Sequence, residues 1–189
     1  KRAAVIERGK LGGTCVNVGC VPKKVMWNAA HMAHALAQAP DYGFDVETKN
    51  FDWNALITAR HAYIARLNGI YANNLSSKDI DVYEGSARFV DAKTLQVGEQ
   101  TLCADHIVIA TGTTPNTADI PGGELAITSD GFFELAQQPK SALVVGAGYI
   151  AVELAGVLQG LGTETSLAIR KDKVLRSFDA EISEFITNK

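Results

Sequence analysis

Cys15 and Cys20 have four residues between them, while the third cysteine, Cys103, stands alone. Five steps of a regular helix separate Cα atoms by about 8.6 Å, beyond the ~6.8 Å limit for a disulfide. If the two bond, the chain between them must leave the helix, with Cys15 outside it or the first turn widened. Gly12, Gly13 and Gly19 supply that freedom. A thiol at a helix N-terminus, with Lys23 and Lys24 nearby, is expected to have a lowered pKa and to be reactive as a thiolate. Two other readings stand beside this redox dithiol. The cysteines can be buried fillers, or they can join His31 and His34 in a zinc-like spacing whose histidine gap is shorter than usual. Cys103, in a β-type run, is expected to pack inside.

A second group with chemistry is Gly146-Ala147-Gly148-Tyr149-Ile150-Ala151. A buried strand pattern precedes it and a helical pattern follows, as a dinucleotide-binding turn requires. Gly146 permits the tight turn, Gly148 lets a pyrophosphate approach the backbone, and Ala151 allows close helix–sheet packing. The phosphate would sit on the helix N-terminus. At the end of the next strand stands Arg170, with Lys171 and Arg176 close by, where a carboxylate would suit a free ribose hydroxyl. Guanidinium groups suit a 2′-phosphate, so NADP(H) is the expected nucleotide. Glu7, an acid ending a buried strand, reads either as a solvated strand end or as part of a second dinucleotide fold whose glycine loop would lie upstream of Lys1.

The elements that must carry these groups are legible as periods. Residues 3–7 read as a strand that empties into the Arg8–Gly13 loop. A helix is expected from about Val21, with Pro22 in its first turn, to Gln38, ended by Pro40 and Gly43. Trp53, Leu56, Ile57, Ile64, Leu67, Ile70, Tyr71 and Leu75 recur at helical steps behind a cap at Asp52. Short β-type runs follow at 81–83, 87–90, 94–97 and 106–109, reading as a meander. An irregular linker around Pro121-Gly122-Gly123 leads to a strand at 142–145, a helix at 149–161, a strand at 165–169 and a last helix starting at Asp179.

Composition narrows the class. The 189 residues carry 18 basic and 21 acidic side chains, a net charge of −3, which supplies no general field for nucleic acid or an anionic membrane. With 47% hydrophobic and 21% charged residues the chain is an ordinary globular one, and no apolar run approaches a bilayer span. Three cysteines are too few for a secreted disulfide scaffold, so a reducing, cytoplasmic compartment is expected.

The run from Leu11 through Cys15-Val16-Asn17-Val18-Gly19-Cys20 to Val21-Pro22-Lys23-Lys24 resembles the redox-disulfide motif of the pyridine nucleotide-disulfide oxidoreductases. The resemblance continues through Ala110-Thr111-Gly112 and the 146–153 segment to Arg170 and Arg176. Lys23-Lys24 and Met26-Trp27 look like the branch acting on glutathione disulfide or on trypanothione. Dihydrolipoamide dehydrogenases and mercuric reductases usually have Ser in place of Lys23.

The resemblance implies that NADPH passes hydride to FAD, and that the flavin reduces a Cys15–Cys20 disulfide. Cys20 would face the flavin and Cys15 would attack oxidised glutathione. Lys23 would lie by the flavin, paired with Glu153, and Tyr149 would cover its nicotinamide face. Ile70, Tyr71 and Asn74 would line the substrate site. Glu7, Thr14, Ala87, Thr111, Gly112 and Ser129 would contact FAD. Gly146, Ala147, Gly148, Ile150, Arg170 and Arg176 would hold NADPH. Core packing is the competing role for Tyr71 and Tyr149.

The expected fold is α/β, with two Rossmann-like dinucleotide-binding domains, both incomplete, and a β-meander in the first. A partial FAD domain is expected over 1–112 and a partial NADP(H) domain over 113–189. The chain opens in a strand pattern and stops in a helical one, so it reads as part of a larger homodimeric protein, inactive alone. The family's dimer contact and its His–Glu acid–base pair belong to a domain not expected among these residues. The alternatives are a trypanothione reductase-type or other disulfide reductase, a non-catalytic nucleotide-binding module, and a zinc-binding interaction domain.

Overall fold

The structure, a computed structural model, describes residues 2–117 and 119–189; Lys1 and Ala118 lie outside the described residues. In chain order the elements are β1 (Ala4–Glu7), α1 (Gly13–Val18), α2 (Cys20–Gln38) and α3 (Trp53–Ser76). The strands β2 (Asp81–Glu84), β3 (Ala87–Asp91), β4 (Thr94–Val97) and β5 (Gln100–Cys103) follow. Then come α4 (Ser129–Phe132), β6 (Ser141–Val145), α5 (Tyr149–Gly160), β7 (Glu164–Ala168) and α6 (Ala180–Thr187). The chain divides into two compact units interleaved along the sequence: Lys1–Pro22 with His61–Asp130, and Lys23–Arg60 with Gly131–Lys189. The mixed α/β class expected from the sequence is the one observed.

In the first unit β1 pairs parallel with β2, Val5 opposite Val82 and Glu7 opposite Glu84. The Gly85 N–H donates to the Glu7 carbonyl at 3.0 Å and continues the ladder past the strand ends. β3, β4 and β5 form the meander, antiparallel throughout, with an irregularity between Phe89 and Asp91. The run at 106–109, expected as a strand, joins no ladder, and Val108 and Ile109 are exposed. Its composition is that of a buried strand, but a strand needs a paired neighbour to satisfy its backbone, and here the fourth run of β type is Gln100–Cys103. Cys103 is likewise exposed rather than packed.

In the second unit β6 and β7 run parallel, in register from Ser141–Glu164 to Val145–Ala168, with α5 as the crossover. Leu154, Val157 and Leu158 of α5 are buried, as are Met26 and Ala30 of α2 and Phe132 and Phe133 at the end of α4. A Cβ on Gly160 would lie 2.9 Å from the Ala30 Cβ, so α2 and α5 touch where Gly160 has no side chain. On the N-terminal part of α3 the buried stripe runs Trp53, Ile57, Arg60. Arg60 is almost wholly enclosed, donating from Nη1 to Met26 Sδ at 3.1 Å and from Nη2 to the Phe133 carbonyl at 2.6 Å. Burial lowers its pKa, and the carbonyl offsets the cost of enclosing the charge. The expected caps are present: Asp52 Oδ1 accepts from the Ala55 N–H at 3.1 Å, and Asp179 accepts from Glu181 and Ile182.

Candidate active site

The chain between the two cysteines does leave the helix. Cys15 lies within the short helix α1, Cys20 is the first residue of α2, and Gly19 breaks the two apart at φ −147°, ψ −119°. A Cβ on Gly19 would meet the Thr14 carbonyl oxygen at 2.8 Å and the Cys15 Cα at 3.3 Å. Glycine therefore permits a close approach that folds Cys15 back toward Cys20. Both thiols are free and exposed, and the Cys20 side chain is the chief influence on the Cys15 thiol.

The segment before Cys15 is held by two amides missed in the sequence. Asn17 Nδ2 donates to the Leu11 carbonyl at 3.2 Å and to the Gly13 carbonyl at 2.9 Å. Asn68 of α3 donates to the same Leu11 carbonyl at 2.7 Å and to Asn17 Oδ1 at 3.1 Å. Asn17 sits inside the cysteine motif and offered a signal; Asn68, on a helix surface, offered none.

One expectation about the pair is corrected. The Cys15 thiol is pushed up, not down, first by its side-chain hydrogen bond with Cys20 and then by burial. A thiol that donates its proton to a neighbouring sulfur is favoured in the protonated form. The zinc reading is also unsupported: among the described residues no three His, Cys, Asp or Glu side chains gather as a metal site, and His31 stacks on Trp27 with ring centroids 5.1 Å apart.

Also in the first unit, Glu7 ends β1, its Oε1 accepting the Gly9 N–H at 2.8 Å. This fixes a carboxylate at the carboxyl end of a parallel strand, where a ribose hydroxyl can be bound. Thr14 is exposed on α1, Ala87 opens β3, Thr111 and Gly112 lie in irregular chain, and Ser129 opens α4. Ile70, Tyr71 and Asn74 lie on the C-terminal part of α3, all exposed among the described residues.

In the second unit Lys23 Nζ of α2 donates to Glu153 Oε1 of α5 at 2.7 Å, both groups partly exposed. Lys23 to Glu153 and Ala30 to Gly160 have the same sequence offset, so the two helices run side by side in one direction for about two turns. Close contact at one end positions the ion pair at the other.

The Gly146–Gly148 turn joins β6 to α5 with its two glycines in different surroundings. Gly146 adopts φ +145°, in keeping with the tight turn expected of it, and a Cβ there would press on the Ala151 Cβ at 3.3 Å, in keeping with the close packing expected of Ala151. Gly148 is different: its φ of −84° suits any residue, and nothing lies within 4 Å of the Cβ position. Neither conformation nor protein packing requires glycine there, and the space in front of its backbone is open. The first turn of α5 has no side-chain cap, which leaves its N–H groups available to an anion. Tyr149 and Ile150 are exposed among the described residues.

Arg170 and Arg176 are exposed in the segment after β7, and neither is in an ion pair among the described residues. The Leu175 N–H donates to the Ala147 carbonyl at 2.7 Å, tying Arg176's neighbour to the glycine turn. These residues thus fit a phosphorylated dinucleotide: an open glycine cradle, an uncapped helix start and guanidinium groups at the strand end.

The profile of the family described as "Pyridine nucleotide-disulphide oxidoreductase" matches residues 1–189, the whole chain. The chain belongs to that family. It is 48% identical to a glutathione reductase of Yarrowia lipolytica, over 99% of this chain and 43% of the relative. It is also 48% identical to a glutathione reductase of Schizosaccharomyces pombe, over 98% of this chain and 42% of the relative. The chain thus spans less than half the length of these curated oxidoreductases. No helix among the described residues is long and apolar enough to cross a membrane.

Proposed function

We propose that the full-length protein carrying this chain reduces glutathione disulfide with electrons from NADPH, using FAD and a Cys15–Cys20 couple. The observation that carries the reading is the pair of exposed thiols brought together across Gly19, where a Cβ would meet the Thr14 carbonyl oxygen and the Cys15 Cα. The two glutathione reductases support the choice of substrate. FAD, when bound, would take hydride from NADPH and return an electron pair to sulfur. A division near residue 112 into FAD and NADP(H) parts, a homodimer and a reducing, cytoplasmic setting belong to the same reading.

In the reduced couple Cys15, as thiolate, attacks one sulfur of glutathione disulfide, forms a mixed disulfide and releases one glutathione thiolate. Cys20 then attacks the Cys15 sulfur, releasing the second glutathione and closing the intramolecular disulfide. Two electrons leave the dithiol and two glutathione thiols form, so the exchange balances. Because the Cys15 thiol is pushed up, this step needs a base to take its proton. The family's His–Glu pair has the chemistry for that. Lys23, held by Glu153, would place a cation beside the flavin; Glu7 would bind the adenosine ribose of FAD, with Thr14, Ala87, Thr111, Gly112 and Ser129 along that cofactor. Tyr149 would cover the nicotinamide face, and Ile70, Tyr71 and Asn74 would line the glutathione site. The glycine turn would hold the NADPH pyrophosphate, with Arg170 and Arg176 on its 2′-phosphate.

The test is turnover by the full-length protein. Two thiols should appear per NADPH consumed, and Cys15→Ser should lower the rate roughly a thousandfold or more. Unchanged turnover in Cys15→Ser would refute the assignment.

A further inference from the structure

Val174 and Leu175 lie in the segment between β7 and α6, and both backbone polar groups of Val174 are taken by side-chain hydroxyls of α6. Thr187 Oγ1 accepts the Val174 N–H at 3.1 Å, and Ser183 Oγ donates to the Val174 carbonyl at 2.5 Å. Thr187 Oγ1 donates in turn to the Ser183 carbonyl at 2.7 Å, so its hydroxyl hydrogen and lone pair are both used. Ser183 and the Val174 side chain are buried.

The next residue, Leu175, adopts φ +53°, a left-handed conformation that a leucine holds only when its surroundings impose it. In that conformation its N–H reaches the Ala147 carbonyl at 2.7 Å, and its carbonyl accepts the Phe178 N–H at 2.9 Å. The second bond closes a turn with Arg176 at its first corner. A buried clasp on α6 therefore sets Leu175, which links the glycine turn to the arginine.

We propose that the Ser183 and Thr187 hydroxyls are positioning residues for Arg176, and so set the preference for a 2′-phosphorylated nucleotide. Resting on the NADPH reading above, the role is indirect: neither hydroxyl touches the nucleotide. Losing either releases Val174, lets Leu175 relax to negative φ and loosens the backbone turn that carries Arg176.

Calorimetric binding of adenosine 2′,5′-bisphosphate and of adenosine 5′-monophosphate to the full-length protein tests this. Ser183→Ala and Thr187→Val, each close in volume to the parent, should weaken the bisphosphate about three- to tenfold, the effect of one buried hydrogen bond, and leave the monophosphate unchanged. Thr187→Ser, which keeps the hydroxyl, should bind as the parent does. In the unsubstituted protein the Val174 and Leu175 amides should exchange as slowly as those of β7, a readout that holds whether or not the variants fold.

Equal weakening of both nucleotides, no weakening of either, or fast exchange at those two amides would overturn the proposal. Arg176→Ala separates the levels. If it costs the bisphosphate alone while the hydroxyl variants cost nothing, only the clasp falls. If it treats both nucleotides alike, the 2′-phosphate reading falls and the clasp's role with it.

Discussion

Cys15 owes its raised pKa chiefly to one neighbour, which makes the effect separable by substitution. Removing the Cys20 side chain by Cys20→Ala deletes the hydrogen bond that raises it, while the Cys20 backbone N–H, which lowers it, remains. A lower pKa means a larger thiolate fraction at any pH below full ionisation. Cys15 in reduced Cys20→Ala protein should therefore alkylate faster at neutral pH, with its rate–pH curve displaced to lower pH; stopped-flow iodoacetamide kinetics read this directly. Displacement to higher pH would show that Cys20 activates Cys15. At this scale the sequence was informative where a residue type is rare in its place, as with the close cysteine pair and the arginine at a strand end. It was silent on Asn68, Leu175 and Ser183, whose roles come from partners far along the chain or from a backbone angle that leucine does not advertise.

Helices α2 and α5 are matched along their length: an ion pair at Lys23 and Glu153, and two turns later a contact that leaves no room for a Cβ on Gly160. Gly160→Ala should push the helices apart and cost about 1–3 kcal/mol, the usual penalty for overpacking. The measurement is the urea midpoint of the full-length protein, which should fall; an unchanged midpoint would mean the contact is loose. The ion pair alone, partly open to water, adds little to stability. Long helices and the βαβ unit were legible because their apolar period persists for several turns. The six-residue α1 and the four-residue α4 were not, being too short to establish a period. Residues 106–109 were misread for a related reason: their composition suits a strand, but pairing is a property of the neighbours. Arg60 illustrates the converse, a charge lying in register with Trp53 and Ile57 whose partners only the packed structure supplies.

The chain covers 43% of its Yarrowia relative, and the reaction proposed here belongs to the full-length protein. Apolar strand residues such as Leu143 and Val145 of β6 are two-thirds exposed within these residues. The class of fold and the glycine turn between β6 and α5 followed from local patterns, whereas the interleaving of the two units did not, because α2 and α3 each pass from one unit to the other. The most direct test joins the two ends of the proposed electron path. Air-oxidised full-length protein is alkylated with iodoacetamide anaerobically, before and after NADPH, and mapped by mass spectrometry. Cys15 and Cys20 should be recovered as one cross-linked pair before NADPH and as two alkylated residues after it. Recovery of both as free thiols in the oxidised sample, or of a cross-link untouched by NADPH, would contradict the account.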